Sequence, residues 1–147
     1  MSNGKVLPFE VTRTVRDCCL CLHLQRAARA VARRFDEAFR PFGLTSGQFS
    51  LLMSLNRPEP PTIGSVAALL AMDRTTLTAN LKPLQRRGLV EVTVDATDRR
   101  SRRLVLTAAG RAALSAAFPV WRDQHAAIDA LLGADPDRLR ADLRALS

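Results

Sequence analysis

Cys18, Cys19 and Cys21 are the only cysteines of this 147-residue chain, and they fall within four residues of the stretch RDCCLCLHLQRAAR. An ionised thiol is a nucleophile, a redox centre or a soft metal ligand. His23, two residues on, is placed to lower a thiol pKa or to share an ion. A disulfide framework is not what this spacing builds, because neighbouring cysteines close almost no loop and take little entropy from the unfolded chain. Three roles stay open for the set Cys18, Cys19, Cys21 and His23. They are packing, sensing of an oxidant or electrophile centred on Cys21 or Cys19, and a soft site for a metal or arsenite. Three thiols and an imidazole on one helix cannot all face one ion, so no metal site is assigned.

The other chemistry is cationic. Arg99, Arg100, Arg102 and Arg103 crowd the segment DATDRRSRR. Guanidinium groups at a loop tip suit the narrow, negative minor groove of DNA, and the neighbouring Asp98 can hold an Arg side chain in one pose. Upstream, RTTLTANLKPLQRR offers Arg74, Thr75, Thr76, Thr78, Lys82 and Arg86. At about 100° per residue Leu77, Leu81 and Leu84 share one helix face, which leaves Thr75, Thr78, Ala79, Lys82 and Arg86 on the other. There, Thr and Lys reach base edges or phosphates, and small methyl-bearing residues meet thymine methyls. Taken alone, either stretch also fits a solvated surface; together they favour a nucleic acid.

The charge is distributed to match. The net charge is +8, with seven Arg against three acids in residues 13–40, eight Lys or Arg against four acids in 73–103, and five of each sign in 108–147. A basic middle beside a neutral C-terminal segment points to a polyanion partner. A membrane surface is disfavoured, because the cations lie in short mixed elements and not on one long amphipathic helix. No apolar run is long enough to span a bilayer, and MSNGKVLPFEV lacks a signal-peptide core, so the expected location is the cytoplasm, with reduced thiols. Two His, no Tyr and no Gly-rich phosphate loop leave no catalytic constellation and no cofactor site, so an enzyme is not expected.

Several elements must position these residues. An Ala-, Leu- and Arg-rich stretch from about Arg13 to Phe39, free of Gly and Pro, predicts one long helix. Cys21 shares its stripe with Ala28 and Phe35, which predicts a buried Cys21. Thr45 and Gln48 form a capping box for a short apolar helix over 49–55, stopped by RPEPP. Thr62 caps a third helix and Asp73 a fourth that ends at Gly88, which is a helix-turn-helix. Runs 89–94 and 103–107 predict a β-hairpin with a basic tip. Thr107 caps another long helix, and Pro136 opens a last short one.

The stretches GLTSGQFSLLMSL, IGSVAALLAMDRTTLTANLKPLQRRGLVEV and DRRSRRLVLTAAG, in this order, resemble the MarR family (multiple antibiotic resistance regulators), over about Cys19 to Leu132. The resemblance implies a mainly α fold with a small β-wing: a winged helix-turn-helix with a helical dimerisation region formed by the N- and C-terminal helices. It divides the chain into an N-terminal dimerisation helix (1–44), a DNA-binding lobe (45–107) and C-terminal dimerisation helices (108–147). It also implies an obligate homodimer bound to a palindromic operator in double-stranded DNA, usually as a repressor, and released by a small molecule or oxidant. By that match Thr75, Thr76, Thr78 and Lys82 lie in the recognition helix, Arg100 is the minor-groove wing residue and Asp98 its partner. LCLHLQRAAR is further similar to the first helix of the family's organic hydroperoxide regulators, whose redox cysteine falls where Cys21 stands, although this chain has no Tyr to hold a thiolate there. The competing reading is a winged-helix or architectural protein that binds DNA without ligand control.

Overall fold

In the computed structural model, residues 6–147 are described. The expected long first helix is two helices, α1 (Phe9–Cys18) and α2 (Leu20–Phe39). The Cys19 N–H still closes a helical turn on the Val15 carbonyl at 2.9 Å. Its ψ of 108°, however, turns the next peptide off the spiral, and α2 restarts with His23 N–H on the Cys19 carbonyl. The three cysteines therefore flank a joint and do not lie on one helix turn. Angular arguments that assume an unbroken spiral fail across Cys19.

Capping chemistry sets most of the remaining starts. Thr45 and Gln48 cap α3 (Ser46–Leu55) reciprocally, each hydrogen bond 3.1 Å long. Asp36 accepts from Ser46 N at 2.6 Å and ties α2 to that cap. A 3-10 turn, Arg40–Phe42, precedes it and ends at Gly43 in the left-handed region. Thr62 caps α4 (Ile63–Leu69), Asp73 caps α5 (Arg74–Arg86) and Thr107 caps α6 (Ala108–Asp129). Helix α5 continues through Pro83, and α6 through Pro119, to their ends. Asp135 caps α7 (Pro136–Arg144). Strands β1 (Val90–Val94) and β2 (Arg102–Leu106) pair antiparallel, with Val90 opposite Leu106 and Val94 opposite Arg102. Each lies one residue from the run that the sequence pattern predicts.

Leu77, Leu81 and Leu84 of α5 are fully buried, as is Leu104 of β2, against Leu52 of α3 and Val66 of α4. Each such side chain withdrawn from water contributes about 1.5–3 kcal/mol. Stacked rings join α2, α3 and α6: Phe35–Phe39 at 5.6 Å, Phe39–Phe49 at 4.7 Å and Phe49–Trp121 at 6.4 Å between centroids. One core thus runs from α2 through the helix-turn-helix to Leu114 and Ala117 of α6. Among the described residues, no side chain of α1 or α7 is fully buried. Phe9, Val15, Leu139 and Leu143 on them are exposed. Among the described residues no helix is long and apolar enough to cross a membrane.

Candidate nucleic-acid interface

Helix α5 is built from its cap outward. Asp73 Oδ1 accepts from Thr76 N and Oδ2 from the Thr76 hydroxyl, both at 2.7 Å. These two contacts, the N–H first, hold the Asp73 carboxyl below the usual carboxylate range. The buried Leu77–Leu81–Leu84 stripe then fixes the rotation of the helix, and Thr75, Thr78, Ala79, Lys82 and Arg86 stand exposed on the far side. Thr76 is exposed too, but its hydroxyl proton is engaged by the cap. Arg74 folds back over α4: a Cβ on Gly64 would stand 2.8 Å from its Nη2. Arg87, next to Arg86, donates to the Gly43 carbonyl at 2.7 Å and braces the end of α5.

The wing departs from the expected pattern in its anchor. Asp98 holds no arginine side chain; its Oδ1 accepts from the Arg100 backbone N–H at 3.0 Å. The carboxylate that does hold one is Asp95, with Arg103 Nε 2.5 Å from its Oδ2. Thr97 N–H and hydroxyl, then Arg103, hold the Asp95 carboxyl far below the usual carboxylate range. Arg103 is turned inward, donating also to the Pro60 carbonyl at 2.8 Å. Arg102 donates to the Arg99 and Ser101 carbonyls. The Arg99 and Arg100 guanidinium groups, both exposed, carry no side-chain hydrogen bond or ion pair among the described residues. The tip therefore offers two free cations where the sequence counts four.

The thiols lie far from this surface in sequence, around the α1–α2 joint. Cys21 is exposed, which corrects the expectation of a buried one. The stripe it shares with Phe35 is buried only at its far end; among the described residues, Leu22 and Leu24 in the first half of α2 are no more than half-buried. Cys18 is also exposed and Cys19 half-buried, and all three are free. Gln25 Nε2 lies 3.3 Å from Cys21 Sγ. His23 Nδ1 meets the Cys19 carbonyl at 2.8 Å and not a thiol. Among the described residues no group of three His, Cys, Asp or Glu converges on a point where an ion could sit. Between α3, α4 and α6 opens an apolar cavity of about 430 Å³, walled by Phe49, Met53, Leu69, Phe118 and Trp121, with no charged side chain in its lining.

The order capped helix, turn, helix, wing is matched over residues 42–101 by the model of the MarR family. The DNA complex of the M. tuberculosis transcriptional regulator MosR superposes with a TM-score of 0.80 at 44% identity, over 87% of this chain and 92% of that one. The chain belongs to the MarR family. The transcriptional repressor CouR, bound to a 23-mer DNA duplex, superposes at 0.74 with 33% identity over 90% of this chain and 92% of that one. The transcriptional activatory protein BadR of Rhodopseudomonas palustris is 33% identical over 95 residues, 63% of this chain. The chain spans 54–63% of the length of the curated relatives it matches. These relatives are transcription regulators, and the segment matched by the family model covers α3, α4, α5, β1 and the loop up to β2. The joint at Cys19 lies outside it, as does α6.

Sequence reasoning gave no role to Asp95 or Arg87, and Gly110 entered it only within the stretch DRRSRRLVLTAAG. Asp95 alone carries a signal for one, as a carboxylate at the strand end opposite a run of arginines.

Proposed function

We propose that this MarR-family chain is a homodimeric transcriptional regulator of a palindromic DNA operator, acting as a repressor released by a small molecule or oxidant. The observation that carries this reading is the division of α5 into a fully buried leucine face and an exposed polar face. Arg74, Lys82 and Arg86 on it make no ion pair among the described residues. Unpaired cations on a rigid, capped helix suit the major groove, with Arg74, Thr75, Thr78 and Lys82 near bases and phosphates. Arg99 and Arg100 then enter the flanking minor groove, Arg102 stays at the loop backbone, and Asp98 shapes the tip through its bond to Arg100 N. The DNA complexes of MosR and CouR support DNA as the partner.

Dimerisation is supported by the uncovered apolar residues of α1 and α7, which a second copy would shield. A twofold dimer presents its two α5 helices about one helical turn apart, hence a palindrome. The cavity beside Trp121 supports an apolar, uncharged effector, since its walls hold no counter-charge. It lies between α6 and the helix-turn-helix, so filling it changes how the two pack. The exposed thiols at the α1–α2 joint support the oxidant arm. Sedimentation of the protein with a duplex from the region upstream of its own gene tests the assembly. Two chains per palindrome are expected; one chain per duplex contradicts it. Transcription in vitro from that promoter tests the sign, with repression expected.

A further inference from the structure

Asp95 is the one charged residue buried among the described residues, at 6% exposure. A buried carboxylate is tolerated only when its oxygens are well satisfied. Both are, and the two serve different neighbours. Oδ1 accepts from Thr97 N and the Thr97 hydroxyl, each at 2.8 Å, and from Asp98 N at 3.3 Å, which shapes the start of the wing loop. Oδ2 takes Arg103 Nε from the opposite strand.

Arg103 carries the link onward, since its Nη1 donates to the Pro60 carbonyl. The main chain follows the same route: Leu104 N donates to Pro61 O at 2.9 Å, and Thr62 faces Arg103 as an isolated antiparallel bridge. The segment so engaged is stiff, because Pro58, Pro60 and Pro61 each have a fixed φ. It ends at Thr62, the cap of α4. A continuous set of short contacts therefore runs from the wing loop through Asp95, Arg103 and the proline segment to the helix-turn-helix. A lone two-stranded hairpin is marginal in water. This wing is in effect three-stranded at its base, and the clasp is what joins it there.

We propose that Asp95, acting through Arg103, is the positioning residue of the wing: it fixes the height of Arg99 and Arg100 relative to α5 and so sets the distance between minor-groove and major-groove contacts. This rests on the DNA-binding reading above. Both side chains of the clasp are spent within the chain, Arg103 on Asp95 and on the Pro60 carbonyl. Arg103 is a fork bridging a carboxylate and a carbonyl, a geometry that a lysine cannot reproduce. A cation attracted by the negative potential of a narrow minor groove, by contrast, acts chiefly through its charge.

The test is binding of the full chain to a duplex from its own upstream region, for wild type, Asp95→Asn, Arg103→Lys and Arg100→Lys. Circular dichroism and thermal unfolding run in parallel. Asp95→Asn and Arg103→Lys are expected to stay folded and to bind at least ten-fold more weakly. At saturation both should lose hydroxyl-radical protection of the flanking minor grooves while keeping protection of guanine N7 in the major groove. Arg100→Lys, which keeps its charge in place, should lose less affinity than Arg103→Lys. Wild-type affinity and footprint in either clasp variant overturn the proposal, as does equal loss of protection in both grooves. Unfolding of both variants also overturns it, because the pair would then hold up the fold and not place the wing. Failure of the wild type to bind any duplex is a different result, one that removes the DNA-binding reading itself.

Discussion

Gly110 sits directly beneath the Leu89 carbonyl: a Cβ at position 110 would stand 2.2 Å from that oxygen and 2.8 Å from Leu106 Cδ1. The start of α6 is thus pressed onto the foot of the wing. Thr107 reinforces the joint, its N–H on the Leu89 carbonyl and its hydroxyl on the Gly88 carbonyl.

Gly110→Ala must push α6 away from the Leu89 carbonyl, just before β1. The obstructing atom is backbone oxygen, which cannot rotate aside, so the cost expected is that of overpacking, about 1–3 kcal/mol. Urea unfolding of the variant should show a lower midpoint at unchanged m. An unchanged midpoint would mean that the joint is looser than described.

Two neighbours on α5 should separate stability from binding. Leu81 is buried and Lys82 exposed. Leu81→Ala opens a cavity and should cost about 2–5 kcal/mol of stability. Lys82→Ala should leave stability within about 0.5 kcal/mol. It should weaken DNA binding across all sequences and flatten the salt dependence by about one unit of slope, as expected for one lost phosphate contact. A Lys82→Ala variant with wild-type salt slope would take Lys82 out of the interface.

The parts of this architecture that the sequence declares are those made by local chemistry. Thr45 with Gln48, Thr62, Asp73 and Thr107 are caps whose hydrogen bonds span three residues, so spacing alone reveals them. The leucine stripe of α5 is equally local. The break at Cys19 is not, since neither Gly nor Pro marks it and the helix propensity on both sides is good. Cys21 is exposed because burial of a stripe depends on what packs against it, which periodicity does not state. Asp95 and Asp98 look equivalent in DATDRRSRR. Only the register of β1 on β2 puts Arg103 beside Asp95, and only the fold brings Pro60 there. Gly110 is required by the close approach of the Leu89 carbonyl to α6, again distant in sequence.

Acid should act through the same carboxylates. Asp73 and Asp95 both titrate below the usual range, Asp73 chiefly through Thr76 N–H and Asp95 chiefly through Thr97 N–H. A carboxyl lowered by folding adds stability above its unfolded value, about 4, and that stability is lost as pH falls through the folded value. Their contribution should be constant from pH 8 to about 5 and decline below that. Asp95→Asn should show a shallower acid limb in pH-dependent unfolding. Superimposable acid limbs would remove Asp95 from this role.

The thiols have their own test. Wild-type protein treated with peroxide should leave its DNA in a gel shift, and reductant should restore binding. Cys19→Ser combined with Cys21→Ser should stay bound under peroxide. Equal release from the double variant rules out the oxidant arm and leaves the cavity beside Trp121 as the effector site.

The most direct measurement is binding to the palindrome upstream of the gene against a scrambled duplex of equal length, from low to high salt. Phosphate contacts weaken on both duplexes as salt rises, whereas base and shape contacts persist only on the true site. A sequence-specific regulator keeps a preference of about 1,000-fold or more for the palindrome at physiological salt. Equal affinities that fall together with salt would contradict regulation through this DNA and leave a non-specific winged-helix protein.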